Sequence, residues 1–513
     1  MNRRDFLKLA ALVSADAALR RTSAFFDPLE QGEGGKPNIL IFVFDAMSAE
    51  HLSLHQYARN TTPNLDRFAQ RSNVYHSHYS AGNFTTAGVA SMLTGMYPWD
   101  HRAINYRGLV KRGLVSRNLF NLIGNEYTRV AFTQNMFAEI ILSQFGESLD
   151  IHLRPDSFSF YVLPAVQAQD FPRDRSLAYF ALEDFLGVGV KSLNPIPGSL
   201  PLASVDIVRQ FINAEPKKTV DFPRGYPNNH SFYYRNEDGF RGIAGQVSDL
   251  NNRSLPWIGY FHVWSPHGPY SSQKDFVGLF PDELRVPFKP RHKLSESRYP
   301  QRQLLDFRLQ YDEYIANVDA EFGKMMTELE RAGVLDNTYI IVTSDHGELF
   351  ERGELGHGTP LLYNPVTHVP LLISAPGQKG RRDIQISTSS LDLLPTILKI
   401  AGKDIPDWVE GKALPGFTEL EDAKRSIYSF VAKNSSAFQD INQATISLIK
   451  GPHELIFYTG YKKLADSFEL YNLAEDQYEK ENLVEKDLIV ASRMREEMTD
   501  MFQSTIKPSS NDA

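Results

Sequence analysis

The protein has 513 residues and no cysteine, and its 54 basic and 62 acidic side chains give a net charge of −8. This length allows about three domains of ~150 residues, or one large α/β domain with a small one. Without cysteine the chain has no disulfide, thiolate zinc site, Fe–S cluster or cysteine nucleophile. Its mildly acidic character argues against nucleic acid or an anionic membrane as the main partner.

The first residues resemble an export signal of the twin-arginine type. The motif reads Asn2-Arg3-Arg4-Asp5-Phe6-Leu7-Lys8. The apolar stretch 9–18 that follows is shorter than the ~20 residues needed to span a bilayer, so we expect no transmembrane segment. Residues 1–35 are thus predicted to be signal and linker. We expect the twin-arginine machinery to export the protein to the periplasm or the outside of a bacterium or archaeon. A plain N-terminal helix with two ordinary arginines is the alternative.

Strands and helices alternate in the next part of the chain. The continuous apolar runs 38–45 and 338–345 are typical of parallel strands that are buried on both faces. Runs 128–133 and 257–263 predict two more core strands. A helix is predicted from apolar residues at 314, 315, 318, 322, 325 and 329, ending at Gly333. This alternation predicts an α/β fold with a mostly parallel sheet sandwiched by helices.

Two segments depart from this pattern. Residues 155–250 are rich in Pro, Phe, Tyr and Asn, and they predict an irregular insertion within a catalytic domain at 36–401. From residue 402 onward, short strands at 426–431, 444–450 and 454–458 precede a helix at 488–502. The region 402–513 is therefore predicted to be a small C-terminal α+β subdomain.

The two long apolar strands both end in aspartate, at Asp45 and Asp345, and the second aspartate is followed directly by His346. Ligands collect at the carboxyl edge of an open parallel sheet, so both carboxylates are expected at one site. Two carboxylates and an imidazole suit Zn²⁺, Mn²⁺ or Mg²⁺. The alternative is that each aspartate only caps the following helix or turn.

A hydroxyl-rich loop enters a short helix that ends at Gly95, and Thr85 and Thr86 lie where this helix begins. The N-terminus of a helix favours an anion such as a phosphate or sulfate ester. A threonine hydroxyl is a poor nucleophile unless a metal coordinates it. A pair of threonines can also serve as a plain helix cap.

Histidines are frequent at the predicted strand ends, namely His262, His267, His346 and His357. A neutral imidazole binds metal, and a protonated one stabilises phosphoryl oxygens or protonates a leaving group. Each could be an ordinary structural histidine, but together they favour a site that handles an anion.

The chain resembles the sulfatase branch of the alkaline-phosphatase superfamily across nearly its whole length. Motifs of that family occur in family order, from the opening strand to the C-terminal region. They are Pro37-Asn38-Ile39-Leu40, Thr61-Thr62-Pro63-Asn64-Leu65-Asp66, Ser91-Met92-Leu93-Thr94-Gly95-Met96-Tyr97-Pro98, Pro266-His267-Gly268-Pro269-Tyr270, Thr343-Ser344-Asp345-His346-Gly347-Glu348, Val369-Pro370-Leu371-Leu372-Ile373, Leu391-Asp392-Leu393-Leu394-Pro395-Thr396 and Glu469-Leu470-Tyr471-Asn472-Leu473.

Two positions depart from the usual sulfatase pattern. Thr85 stands at the nucleophile position, where sulfatases hold a Cys or Ser that is oxidised to formylglycine, and Ala46 replaces a second metal-ligating aspartate. Both features resemble the phosphoethanolamine and phosphoglycerol transferases of the superfamily, which use an unmodified threonine. Those transferases carry a membrane-spanning N-terminal domain that is not evident in this sequence.

The resemblance implies a metal-dependent hydrolase or transferase that acts on phosphoesters and has no formylglycine. One divalent metal (Mn, Zn, Mg or Ca) would be held by Asp45, Thr85, Asp345 and His346, with Thr85 as the nucleophile. Ester oxygens would be contacted by three histidines, one of them the general acid: His262, His267 and His357. The substrate would be a small-molecule, lipid or glycan ester. The alternatives are a sulfuric ester hydrolase without formylglycine and a catalytically silent metal-containing binding protein.

Overall fold

The structure, a computed structural model, describes residues 35–162, 218–229, 232–280, 286–297, 299–418 and 422–506. The predicted export signal and the middle of the predicted insertion lie outside these ranges. Within the described residues, no helix has the length and apolar character that crossing a membrane requires.

Sixteen strands are formed by the described residues. In chain order they are β1 (Asn38–Asp45), β2 (Asn73–Tyr75), β3 (His78–Tyr79), β4 (Thr128–Thr133), β5 (Ile151–His152), β6 (Ser159–Val162), β7 (Phe232–Tyr234), β8 (Trp257–Pro266), β9 (Thr338–Ser344), β10 (Leu371–Ser374), β11 (Arg382–Ile384), β12 (Thr388–Ser389), β13 (Ile427–Val431), β14 (Ala444–Lys450), β15 (His453–Thr459) and β16 (Ser467–Asn472).

The α-helices lie between and after these strands. They are α1 (Pro63–Ala69), α2 (Thr85–Thr94), α3 (Pro98–His101), α4 (Leu119–Ile123), α5 (Met136–Gln144), α6 (Asn236–Asn251), α7 (Gln301–Arg331), α8 (Asn364–Thr367), α9 (Leu393–Ile400) and α10 (Leu488–Ile506).

The central sheet has eight strands in the order β11-β2-β10-β9-β1-β8-β4-β5. Strand β1 lies at its middle and pairs in parallel with β8 and β9, while β4 continues the parallel arrangement beside β8. Only β10 runs antiparallel to its neighbours in this sheet of the described chain. The prediction of a mostly parallel sheet is confirmed.

Helices cover both faces of the central sheet. Phe42 and Phe44 of β1 pack into a core with α6 and α7, and Ile41 and Val43 pack into a second core with α2, α5 and α9 on the other face. Since successive strand residues point to opposite faces, this double burial explains why β1 is apolar without alternation. The sandwiched α/β architecture is confirmed.

Strands β13 to β16 form a separate antiparallel sheet, and α10 contributes Met494 and Met498 to its core. This confirms a small C-terminal subdomain. The prediction of irregular structure up to residue 250 was wrong for the segment 236–250, which lies in α6. Glycine, asparagine and aspartate lower its helix propensity, but Phe240, Ile243 and Val247 share one buried face, and this packing outweighs propensity.

Candidate active site

The predicted aspartates lie at the carboxyl edge of the central sheet. Asp45 ends β1, and Asp345 follows the last residue of the neighbouring β9. Asp45 lies two residues after Val43 on β1, so both point to the same face, and Val43 packs on the α2 side of the sheet. On β8, His262 lies two residues after Tyr260, which packs on the same side. The pleat of two adjacent parallel strands therefore directs these polar side chains toward α2, where Thr85 is the first residue.

Two histidines face these two carboxylates. His262 Nε2 lies 3.5 Å from Asp45 Oδ2 and 3.8 Å from Asp345 Oδ2. His346 Nε2 lies 3.6 Å from Asp45 Oδ1 and 3.4 Å from Asp345 Oδ2. All four side chains are fully buried. Ligand atoms held ~2.1 Å from a tetrahedral cation would be separated by roughly 3.4 Å, which is close to these distances.

The arrangement leaves buried polar atoms without protein partners. Asp45 Oδ1, Asp345 Oδ2 and His262 Nε2 have no hydrogen-bond partner. One ligand atom from each of these three residues lies within 4.8 Å of the others, and this is the metal-capable group that the described residues contain. Buried charge of this kind is costly unless it is compensated, so the residues fit a divalent cation.

The pKa values of the two buried carboxyl groups, Asp45 and Asp345, are shifted in opposite directions. Burial and the nearby charge of Asp45 raise the pKa of Asp345 well above its usual range. Burial would also raise the pKa of Asp45, but the electrostatic effects of His267, His262 and His346 outweigh it and lower that pKa. Without a cation, only one of the two carboxyls is therefore readily ionised.

Thr85 lies within this group. Its Oγ1 is 3.2 Å from His346 Nε2, and the residue is 1% exposed. The residue before the helix, Phe84, makes no side-chain cap, so the positive end of the α2 dipole is not compensated by a cap there. The nucleophile predicted from sequence and the predicted metal ligands Asp45, Asp345 and His346 are thus brought together.

Gly88 makes this approach of α2 to β9 possible. A Cβ at position 88 would lie 2.3 Å from the backbone oxygen of Asp345, which is far inside van der Waals contact. Only glycine fits at this position, one turn into the helix that carries Thr85.

Asn135 is a site residue that the sequence analysis missed. Its Oδ1 caps α5 by accepting hydrogen bonds from the backbone nitrogens of Phe137 and Ala138, at 2.7 and 3.4 Å. Its Nδ2 donates to Asp45 Oδ2 and, at 3.1 Å, to Thr85 Oγ1. The signal was present, because Asn135 follows the predicted strand 128–133 at the same sheet edge.

His267 and His357 line the more accessible side of the site, and both are half-buried. Their ring centroids are 4.8 Å apart, and the His357 ring lies 4.2 Å from that of His346. Burial would lower the pKa of His357, but the Glu348 carboxylate, 3.3 Å from His357 Nδ1, outweighs it and raises that pKa. Burial lowers the pKa of His267. Glu348 was not among the site residues predicted from sequence.

His262, the third histidine predicted to contact substrate, does not lie on the accessible side of the site. His262 has no exposed surface, and its ring faces Asp45 and Asp345. It lies in the interior of β8, because the strand extends to Pro266 and not only to the predicted residue 263.

The C-terminal subdomain reaches the rim of the site. Lys433, just after β13, donates a hydrogen bond to the backbone oxygen of Gly358 and lies 5.5 Å from the ring centroid of Tyr106. Asn105 ties this loop to the catalytic domain by donating to the backbone oxygens of Lys433 and Ser435, at 2.8 and 3.0 Å. The ammonium group of Lys433 and the ring of Tyr106 thus lie beside His357.

Two known protein families match this chain. The chain matches the family described as Sulfatase over residues 37–140 and 210–403, and the one described as N-sulphoglucosamine sulphohydrolase, C-terminal, over residues 353–504. The protein belongs to the sulfatase family, whose enzymes bind a divalent metal.

Several relatives span most of the chain. A choline-sulfatase from Rhizobium meliloti (strain 1021) is 22% identical over 476 residues, covering 88% of this chain and 83% of the relative. An arylsulfatase from Clostridium perfringens (strain 13 / Type A) is 24% identical, covering 75% and 79%. The multifunctional alkaline phosphatase superfamily protein PehA from Trinickia caryophylli is 24% identical, covering 79% and 81%.

Solved structures share the fold. The phosphonate monoester hydrolase of Agrobacterium radiobacter superposes with a TM-score of 0.64 at 19% identity, covering 92% of this chain and 96% of that one. A protein solved in complex with its substrate D-glucosamine-2-N,6-O-disulfate also gives a TM-score of 0.64, at 16% identity, covering 93% and 99%.

Proposed function

We propose that the protein is a metal-dependent phosphoester hydrolase or phosphotransferase that uses Thr85 as its nucleophile. The observation that carries this proposal is the position of Thr85 Oγ1 at the start of α2, 3.2 Å from His346 Nε2 and beside Asp45 and Asp345. Threonine cannot become formylglycine, so hydroxyl attack is the nucleophilic chemistry open to this position.

In this proposal a divalent cation would be held by Asp45, Asp345, His346 and Thr85. A divalent cation would supply positive charge that offsets the carboxylates and favours the ionised hydroxyl of Thr85. Thr85 Oγ1 gives up its proton to solvent. Thr85 Oγ1 then forms a bond to phosphorus while the bond from phosphorus to the alcohol oxygen breaks. The uncompensated N-terminus of α2 favours the extra negative charge of the transition state.

His357 is the proposed general acid. Glu348 favours its protonated form, and its half-buried ring can face the leaving group, so it supplies the proton that the departing alcohol takes up. His267 contacts the ester oxygens beside it. Water or a second alcohol then attacks phosphorus and gives its proton to His357, while the bond from phosphorus to Thr85 Oγ1 breaks. Thr85 Oγ1 takes up a proton from solvent, and phosphate or a phosphoester is released.

Sulfuric ester hydrolysis is the second candidate, because two of the relatives are named choline-sulfatase and arylsulfatase. Formylglycine expels sulfate through collapse of a hemiacetal, which a threonine ester cannot do. The names phosphonate monoester hydrolase and multifunctional alkaline phosphatase superfamily protein support phosphorus chemistry in this fold. We therefore rank phosphoesters first.

The test is a parallel assay of aryl phosphodiester, aryl phosphate and aryl sulfate substrates with Mn²⁺, Zn²⁺ and Ca²⁺. We expect phosphoester turnover to exceed sulfate turnover, and Thr85→Ala to abolish it. Thr86→Ala is the matched control, since the Thr86 hydroxyl donates to the backbone oxygen of Tyr106, at 2.6 Å. Acid-quenched enzyme should carry phosphate on Thr85. Faster sulfate turnover would reverse our ranking, and no turnover with metal bound would favour a silent binding protein.

We also propose that the protein is exported, on the basis of Arg3 and Arg4 in the N-terminal motif. Cell fractionation of the natural chain and of an Arg3→Lys, Arg4→Lys double variant tests this. We expect the double variant to remain in the cytoplasm, and an unchanged distribution would contradict a twin-arginine route.

A further inference from the structure

We infer that His262 is a ligand of the metal centre and not a substrate contact. With His346 it gives the site two imidazole nitrogens, which select a borderline cation such as Zn²⁺ over the hard cations Mn²⁺, Ca²⁺ and Mg²⁺. This inference rests on the metal dependence in the proposed function and adds to it a ligand and a class of ion.

Burial separates His262 from the other two histidines. Its Cα pairs with Val43 on β1 and with Thr133 on β4, so strands flank it on both sides. The residue has no exposed surface, whereas His267 and His357 are half-buried. A ligand that enters from solvent therefore meets His267 and His357 first.

The ring of His262 is held in a fixed orientation. Its Nδ1 lies 3.2 Å from the hydroxyl of Tyr260, which is also fully buried. Its Nε2 has no hydrogen-bond partner and faces Asp45 Oδ2 and Asp345 Oδ2 at 3.5 and 3.8 Å. A second partner on one ring nitrogen, with the other nitrogen free, is the usual arrangement of a metal-binding histidine.

The end of β1 supplies only one side-chain ligand. Ala46 follows Asp45 and has no side-chain donor atom. Its backbone nitrogen, at a positive φ of 60°, donates to Asp345 Oδ1 at 3.2 Å. That bond occupies one oxygen of Asp345 and leaves Oδ2 facing His262 and His346. The strand end thus supplies one carboxylate, and β8 supplies the nitrogen.

The set of donor atoms determines the class of ion. Ca²⁺ and Mg²⁺ prefer shells made of oxygen ligands, six or more for Ca²⁺. Two buried imidazoles with two carboxylates form a mixed nitrogen and oxygen set that suits Zn²⁺ better. We therefore expect the site to select Zn²⁺.

The experiment measures ion binding to the full-length apo protein without any ester, by competition with a chromophoric chelator. We expect Zn²⁺ to bind more tightly than Mn²⁺, Ca²⁺ and Mg²⁺, and His262→Ala to weaken Zn²⁺ binding about tenfold or more. His101→Ala is the matched control, because His101 is equally buried but hydrogen-bonds to Ser91. It should change Zn²⁺ affinity by less than about threefold, as expected of a site without shared partners.

A measurement on the natural chain covers the case in which His262→Ala does not fold. X-ray absorption at the zinc edge counts imidazole ligands, and two support the inference while one overturns it. Wild-type Zn²⁺ affinity in a folded His262→Ala protein, or Ca²⁺ binding as tight as Zn²⁺ binding, would also overturn it. The ion-binding measurements contain no ester, so they do not depend on phosphoester turnover. A protein without phosphoester activity could therefore still confirm or overturn His262 as a metal ligand.

Discussion

The side-chain nitrogen of Asn135 lies 3.1 Å from Thr85 Oγ1 and also donates to Asp45. One amide therefore links the proposed nucleophile on α2 to the carboxylate on β1, although it belongs to neither element. The oxygen of the same amide is fixed, because Asn135 Oδ1 caps α5. Asn135 thus connects Thr85 on α2 with both β1 and α5.

Replacing Asn135 with Ser should retain a capping oxygen and remove the amide donor. We expect kcat to fall about 10- to 100-fold, as is typical when a partner that orients site ligands is lost. Asn118→Ser is the matched control, since Asn118 caps α4 and its Nδ2 donates to the backbone oxygen of Val115. Steady-state kinetics and thermal unfolding of both variants are the measurements. An equal loss of stability with unchanged kcat in both would contradict the role of Asn135.

Gly88→Ala should separate α2 from the end of β9. The added methyl would meet the backbone oxygen of Asp345 at 2.3 Å, so the helix must shift and Thr85 with it. We expect a loss of about 1–3 kcal/mol in the free energy of unfolding, together with a large fall in turnover.

Gly245→Ala provides the comparison for Gly88→Ala. Gly245 lies in α6, where an added Cβ meets nothing within 4 Å. That change should stabilise the protein by roughly 0.5–1 kcal/mol and leave turnover unchanged. Urea unfolding and kinetics test both variants, and a Gly88→Ala protein with full activity would refute the close-approach argument.

Lys433→Met should weaken substrate binding more than it affects the chemical step. The ammonium group lies beside His357, against Gly358 and Tyr106, at the rim of the site. We expect KM for an anionic aryl phosphodiester to rise up to about tenfold, equivalent to ~1.4 kcal/mol, with little change in kcat. Lys450→Met is the control, since Lys450 pairs with Glu497 at 2.6 Å within the C-terminal subdomain. A fall in kcat at constant KM would contradict a binding role.

Glu454 should make the stability of the protein decrease with rising pH. Burial raises its pKa from 4.5 to about 7, and the residue has no exposed surface. Between these two values the folded state retains a proton that the unfolded state has released, so stability falls as pH rises, by at most ~1.4 kcal/mol per pH unit. Glu454→Gln should therefore lose less stability than the natural chain between pH 5 and pH 7.

Urea unfolding at three pH values in this window measures the effect of Glu454→Gln. Glu475→Gln, which changes an exposed carboxylate, is the control and should follow the natural chain. If Glu454→Gln and the natural chain lose stability in parallel, the buried carboxyl is not the cause.

Much of the site was predictable because it follows two strong sequence signals. Apolar runs without alternation predicted β1 and β9, and the aspartates that end these runs predicted where the carboxylates meet. The N-terminal position of Thr85 in α2 likewise followed from the loop before it and from Gly95 after it. Signals of this kind are local, since a few consecutive residues contain them.

The remaining features depend on contacts between distant parts of the chain. The burial of His262 between β1 and β4 follows from strand order, which no local pattern encodes. Asn135 and Glu348 acquire their partners only when α5, β1 and the loop at His357 come together. The helix α6 was missed because its local propensity is poor and its stability comes from packing against the sheet.

The sequence by itself determined the α/β class, the absence of any cysteine-derived nucleophile and the candidate residues Asp45, Thr85, Asp345 and His346. It could do so because strand periodicity, helix ends and residue chemistry are properties of short segments. Only the tertiary structure decided that His262 faces the carboxylates while His267 and His357 face the opening. Both outcomes depend on which strands are neighbours, and burial then fixes which nitrogen atoms an ion or a substrate can reach.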